Sequence, residues 1–137
     1  MALYGSTDWL GEVQRRLNAD PEVEAQAKDL TADLQYVIEA EPEQGFPETR
    51  EIGWRMEGGH CTETWEGMRP ADFVFVAPYS VFKRVNTGES SPADVMLKGE
   101  LQVQGELAEL MANMGALTAM QNVLAAMSKE GATEWPG

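Results

Sequence analysis

Residues 71–110 read ADFVFVAPYSVFKRVNTGESSPADVMLKGELQVQGELAEL. Asp72 to Ala77 is apolar on both faces, which predicts a strand inside a sheet rather than at its edge. Pro78 ends that strand, and Ser80 can open a helix through Val81, Phe82 and Val85 that Gly88 stops. Ser91-Pro92 starts a second short helix with Val95, Met96 and Leu97, ended by Gly99. Leu101 and Val103 then alternate with Glu100, Gln102 and Gln104, the pattern of a half-buried strand. From Glu106 to about Lys129, apolar residues at Leu107, Leu110, Met111, Met114, Leu117, Met120, Leu124 and Met127 predict a long helical region, with Gly115 as a point of division.

Upstream, Ser6, Thr7 and Asp8 are helix-start residues ahead of Trp9, Leu10, Val13 and Leu17. Asp20-Pro21 opens a second helix that runs to about Leu30, with Glu22 and Glu24 in its first turn. The period then changes from helical to two-fold. Leu34, Tyr36 and Ile38 alternate with Asp33, Gln35 and Glu39, and after a turn-rich loop (42–49) Ile52, Trp54 and Met56 alternate with Glu51, Arg55 and Glu57. Gly58-Gly59 is a tight reversal into a strand over His60–Gly67, where Glu63 on an otherwise apolar face marks a sheet edge. Strands grouped between helices predict an α+β fold with a mostly antiparallel sheet and helices packed on one face. All 137 residues are read as one domain, with a core over about 7–128 and a tail over 129–137.

The chain of 15.1 kDa carries 23 acidic and 10 basic residues, a net charge of −13. Nucleic acid and anionic membrane surfaces both need Lys and Arg, so the charge argues against either as a partner. The acids crowd residues 1–67, with 15 acids against 5 bases; residues 68–137 carry 8 against 5. Excess acid with four Lys suits a salty cytoplasm, where the Debye length falls to roughly 3 Å at 1 M and self-repulsion is screened. Stability that rises with molar KCl is the expected result; a denaturation midpoint indifferent to KCl would remove that reading. One cysteine, Cys61, implies a reducing compartment, and neither a secretory leader nor a stable membrane-inserted span is expected.

The ordered features of 71–110 resemble the sterol carrier protein type two family, the SCP-2 sterol-transfer domain. These are the apolar strand after Ala71-Asp72, Phe82 in a short helix, Gly88, then Pro92-Ala93 before another helix. Gly99-Glu-Leu101-Gln-Val103-Gln-Gly105 follows, and it matches the family pattern Gly-x-Leu-x-(Val/Ile)-x-Gly at every specified position. The upstream helix and strands agree in order, which extends the resemblance over residues 7–128.

The resemblance implies five strands with helices over one face, and an apolar tunnel between them that holds a lipid and performs no chemistry. The implied function is a stand-alone carrier for a fatty acid, sterol-like or isoprenoid ligand in the cytoplasm, without a cofactor. Alternation places Trp54, Met56, Phe73, Phe75 and Val103 on the inward sheet face, although it leaves open which face Phe73 and Phe75 share. Helical spacing adds Met111, Met114, Leu117, Met120 and Leu124. Eight Met, most of them in the C-terminal third, fit a wall that adapts to varied apolar partners, and equally an ordinary core. Lys83-Arg84 and Lys98 are the basic features available for an anionic head group.

Two other readings stay open: an interaction or homodimerisation module using the apolar C-terminal helix, and an accessory subunit of a lipid enzyme. Neither a metal nor a catalytic site is expected. His60 and Cys61 are strand neighbours and point to opposite faces, so they cannot share a metal or act as a nucleophile–base pair.

Overall fold

The computed structural model describes residues 1–137. A two-residue strand β1 (Ala2–Leu3) leads into helices α1 (Thr7–Ala19) and α2 (Pro21–Gln26). Strands β2 (Thr31–Glu39), β3 (Arg50–Glu57), β4 (His60–Glu66) and β5 (Phe73–Pro78) follow. Helices α3 (Tyr79–Asn86) and α4 (Pro92–Leu97) precede β6 (Gln102–Gln104), and α5 (Leu107–Ala112), α6 (Met114–Lys129) and β7 (Thr133–Glu134) complete the chain.

The main sheet is five-stranded in the order β4-β3-β2-β5-β6. β2 and β5 run parallel, and the other neighbours are antiparallel. The fold is therefore α+β with a mostly antiparallel sheet, as the alternation of periods predicts. The strand apolar on both faces, β5, lies between β2 and β6, and the strand carrying Glu63, β4, is an edge. One face packs on the helices through Leu34, Ile38, Ile52, Trp54, Met56, Phe73 and Phe75, all buried in one cluster with Leu10, Val13, Leu17, Met120 and Met127.

Local chemistry sets the helix starts. Ser6 accepts from the Trp9 amide, Asp20 from the Glu22 and Val23 amides, and Ser91 from the Asp94 amide. α3 starts at Tyr79, one residue before the expected Ser80, and the Glu41 carboxylate from the loop between β2 and β3 accepts the Ser80 amide at 2.6 Å. The long C-terminal helical region divides at Asn113 rather than Gly115. The Asn113 amide group turns back to the Glu109 carbonyl at 2.8 Å, and the lack of a side chain at Gly115 lets α6 approach Gln26 of α2.

Residues 129–137, read as a tail, are built into the fold. β7 pairs in parallel with β1 (Ala2 opposite Thr133, Leu3 opposite Glu134). Trp135 packs 4.4 Å from the Tyr4 ring, and the Tyr79 hydroxyl donates to the Pro136 carbonyl at 2.9 Å. Tyr79 itself stacks on Phe46 at 4.4 Å. The polar composition of this segment hid the clasp, because its anchors lie far away in sequence.

The outer face of the sheet holds a second departure from simple alternation. Gln35, in register with outward residues, is fully buried. Its amide donates to the carbonyls of Ile52 (3.0 Å) and Gly67 (3.1 Å) and accepts from Trp65 Nε1 (3.0 Å) and the Arg69 amide (3.3 Å). Trp65 lies over Gly53, where any Cβ would collide with it, and the Arg69 guanidinium covers the indole at 3.5 Å. With every amide hydrogen-bonding position engaged, a polar side chain is stable beneath the crossover from β4 to β5.

Candidate functional site

An apolar cavity lies between the sheet and helices α3, α4 and α6. Its sheet wall is aromatic. Tyr36 stacks on Phe75 with centroids 5.0 Å apart, lies 4.6 Å from Trp54 and meets the edge of Phe82 at 6.2 Å. The opposite wall is formed by Met96 of α4 and by Leu117, Met120 and Leu124 of α6. Tyr4 and Trp9 join the lining from the N-terminal segment, where the β1–β7 clasp lies behind them.

The cavity volume is about 60 Å³. Some 10–15 Å³ of such space holds one water, so the void has room for roughly four to six small groups.

Polar atoms in the lining are few and neutral. Asn86 donates to the Tyr4 hydroxyl at 2.6 Å, and Gln121 donates to the Val85 carbonyl. Burial raises the pKa of the Tyr4 and Tyr36 phenols above the ordinary value, so both remain O–H groups at any physiological pH. The lining contains no charged side chain and no Ser, Cys or His.

Of the residues placed at the site from sequence, Trp54, Phe75, Leu117, Met120 and Leu124 line this cavity. Met56 and Phe73 are buried in the core outside it, and Val103 and Met114 pack half-buried against that core. Phe73 and Phe75 both face inward, but Phe73 meets the backbone at Gly105 instead of the void. Met111 is a correction. It is 59% exposed, because the division at Asn113 lets α5 turn independently of α6 and breaks the single stripe that the spacing implied. The Met-rich wall reduces to Met96 and Met120, and aromatic rings dominate.

Sequence reasoning did not assign Tyr36, Ile38, Ile52, Phe82 or Leu101 to the site, although Tyr36, Ile38 and Ile52 share the alternation that placed Trp54. The basic residues are also elsewhere. Arg84 forms a two-pronged pair with Glu100 (2.8 and 2.9 Å), Lys98 faces Asp94 at 3.5 Å, and Lys83 sits over Trp135 at 5.8 Å.

Cys61, on the edge strand β4 opposite Met56 of β3, is 2% exposed, and burial pushes its thiol up to about 12. An unfolded thiol ionises near 8.5. The folded state thus keeps its full stability below about pH 8.5 and loses some of it as pH rises from there towards 12. At pH 8 a thiol reagent is expected to modify Cys61 only through opening of the fold, at a rate far below that in denaturant. Equal rates in the two conditions would contradict the buried assignment.

A five-stranded α+β sheet over an uncharged, aromatic-walled cavity defines a small apolar-ligand-binding domain of the lipid-carrier type. The chain belongs to the SCP-2 sterol transfer family, whose model matches residues 10–118. Among solved structures, sterol carrier protein 2 superposes with a TM-score of 0.82 at 22% identity, covering 89% of this chain and 97% of the other. A Thermus thermophilus protein described as possibly a sterol carrier protein gives 0.78 at 23%, covering 89% and 87%. A double mutant of the sec-alkylsulfatase PisA1 gives 0.56 at 16%, covering 81% of this chain but 16% of that one. No curated protein sequence matches the chain. No helix is long and apolar enough to cross a membrane.

Proposed function

We propose that the chain binds and transfers a lipid with a fatty acyl, sterol-like or isoprenoid body, held between the sheet and α6, in a reducing cytoplasm. The observation that supports this most is the lining: an apolar cavity without charge, at the place where sheet and helices face each other. The absence of an acid, base or nucleophile pair along that wall favours binding over catalysis.

A buried methylene contributes ~0.8 kcal/mol, so a dozen give about 10 kcal/mol against an association cost of roughly 4–15 kcal/mol. The ligand therefore needs at least a dozen apolar carbons. A methylene is about the size of a water, so a dozen require roughly 120–180 Å³, against a cavity of about 60 Å³. Loading then widens the cavity, and α6, one of its three helical walls, can move without breaking hydrogen bonds of the five-stranded sheet.

Delipidated protein should bind a fluorescent fatty acid or sterol saturably, and Leu117→Trp, which fills the void from α6, should weaken that binding at least about tenfold. Absence of saturable binding in the unmodified protein would end the carrier reading.

A second reading rests on Leu107 and Met111, which are 65% and 59% exposed one helical turn apart on α5. They favour α5, rather than the buried stripe of α6, as the surface for a homodimer or other partner. A concentration-dependent sedimentation coefficient that disappears in Leu107→Gln/Met111→Gln would support it.

A further inference from the structure

The chain carries four tryptophans and three tyrosines, and the fold satisfies the polar ring atom of most of them. Trp9 Nε1 donates to Thr133 Oγ1, Trp65 Nε1 to Gln35 Oε1 and Trp135 Nε1 to Ser128 Oγ, each at 3.0 Å. Tyr4 is paired with Asn86 and Tyr79 with the Pro136 carbonyl. Two groups are different. The Trp54 indole N–H is buried without any hydrogen-bond partner, in a residue only 2% exposed. The Tyr36 hydroxyl also makes no hydrogen bond within the protein, but it is not fully buried, so it stays open to water or to a ligand.

The two residues are neighbours. The Trp54 and Tyr36 rings are 4.6 Å apart, and both line the apolar cavity. A buried donor left unpaired is costly and uncommon in a native fold, and the Trp54 N–H calls for an acceptor that the protein itself does not supply. An indole N–H can only donate, and a phenol can both donate and accept. An oxygen acceptor on the ligand satisfies both. Its charge is restricted by the rest of the wall. No lining residue is cationic, and Arg84 and Lys98 are committed to Glu100 and Asp94. An ionised carboxylate would be buried without a counter-charge, which a neutral oxygen avoids.

We infer that Trp54 and Tyr36 form a head-group subsite that selects an uncharged oxygen acceptor, a hydroxyl or a ketone or ester carbonyl, over an ionised carboxylate. This assignment rests on the lipid-carrier reading and narrows it. The head group docks on the aromatic sheet wall, and the apolar body extends along Met96, Leu117, Met120 and Leu124.

The test uses a chain-matched set of hexadecane, hexadecanol and hexadecanoate, each displacing the neutral dye Nile red from the delipidated full chain at neutral pH. Hexadecanol is expected to displace the dye at a concentration at least about tenfold below the other two. Trp54→Phe and Tyr36→Phe should each erase most of that preference, read as the ratio of hexadecanol to hexadecane displacement within the same variant. In proton–nitrogen spectra, one of the four indole N–H signals, identified by through-space contacts to Tyr36, should move downfield with hexadecanol and stay put with hexadecane. Should Trp54→Phe fail to fold, Tyr36→Phe and the wild-type indole signal still decide the matter. Equal displacement by all three ligands, or a preference that survives in Tyr36→Phe with a stationary Trp54 signal, would overturn the subsite and leave the carrier reading standing. If none of the three displaces the dye and no fluorescent lipid binds, the carrier reading itself falls, and the subsite with it.

Discussion

Trp9→Ala is expected to lower the unfolding free energy by about 4 kcal/mol or more. Trp9 is 2% exposed, and its ring meets the edge of Tyr4 with centroids 4.8 Å apart. Its indole N–H donates to Thr133, which anchors the C-terminal strand to the first helix from 124 residues away. Truncating a buried Trp or Phe to Ala costs roughly 3–5 kcal/mol in transfer and cavity terms. The Thr133 hydroxyl, itself 6% exposed, is left without this donor at a further cost of about 1 kcal/mol. Against a total stability of about 5–15 kcal/mol, this brings the protein near its folding threshold. Denaturant titration followed by far-ultraviolet circular dichroism should show the midpoint fall with an unchanged slope. Trp9→Phe keeps the packing and loses the hydrogen bond, so its deficit should be roughly 1–2 kcal/mol. A loss below about 1 kcal/mol in Trp9→Ala would mean that the terminal clasp does not depend on this side chain.

Gly105→Ala is expected to cost about 2–5 kcal/mol, far more than the same change at Gly99. Gly105 has φ +138°, a region that L side chains rarely adopt. A Cβ there would lie 2.6 Å from the Asp72 carbonyl oxygen and 2.6 Å from the Phe73 ring. Neither neighbour can yield easily. The Asp72 amide donates to the Asp33 carbonyl at 3.0 Å, its carboxylate accepts the Asp33 amide at 2.7 Å, and Phe73 is 2% exposed. Backbone strain of about 1–3 kcal/mol therefore adds to an overpacking cost of similar size. Gly99 also has a positive φ, +73°, but nothing lies within 4 Å of its Cβ position. Gly99→Ala should lose only about 1–2 kcal/mol, the backbone term alone. Thermal unfolding of the pair separates the two causes, and equal losses would refute the packing argument.

The two glycines end one motif that is visible in the sequence, yet only Gly105 lies against the sheet. Other parts of the fold and the cavity divide in the same way. The helix caps at Ser6, Asp20 and Ser91, the interior position of β5 and the edge position of β4 follow from local signals, because caps, turns and period act within a few residues. Trp54 on the cavity wall follows from a two-residue period, which puts Phe75 on one face with Phe73 without saying which face that is. Met111 does not follow from a helical period, because Asn113 ended the helix by bonding back to Glu109. Gln35 reads as an outward polar residue, and only the return of residues 65–69 across the sheet buries it.

The sequence by itself determined the order of the main elements, the α+β class and which strand residues share a face. It also carried the family's Gly99–Gly105 pattern. These depend on side-chain spacing and backbone preference, which are properties of neighbouring residues. Tertiary structure alone decided which inward residues meet the void, how little space it holds, and that residues 133–137 clasp the N-terminus. It also decided that Trp54 and Tyr36 stand together without partners, while the other tryptophans and tyrosines find theirs. Satisfaction of a buried donor depends on groups brought together from distant parts of the chain, and no local pattern records that meeting.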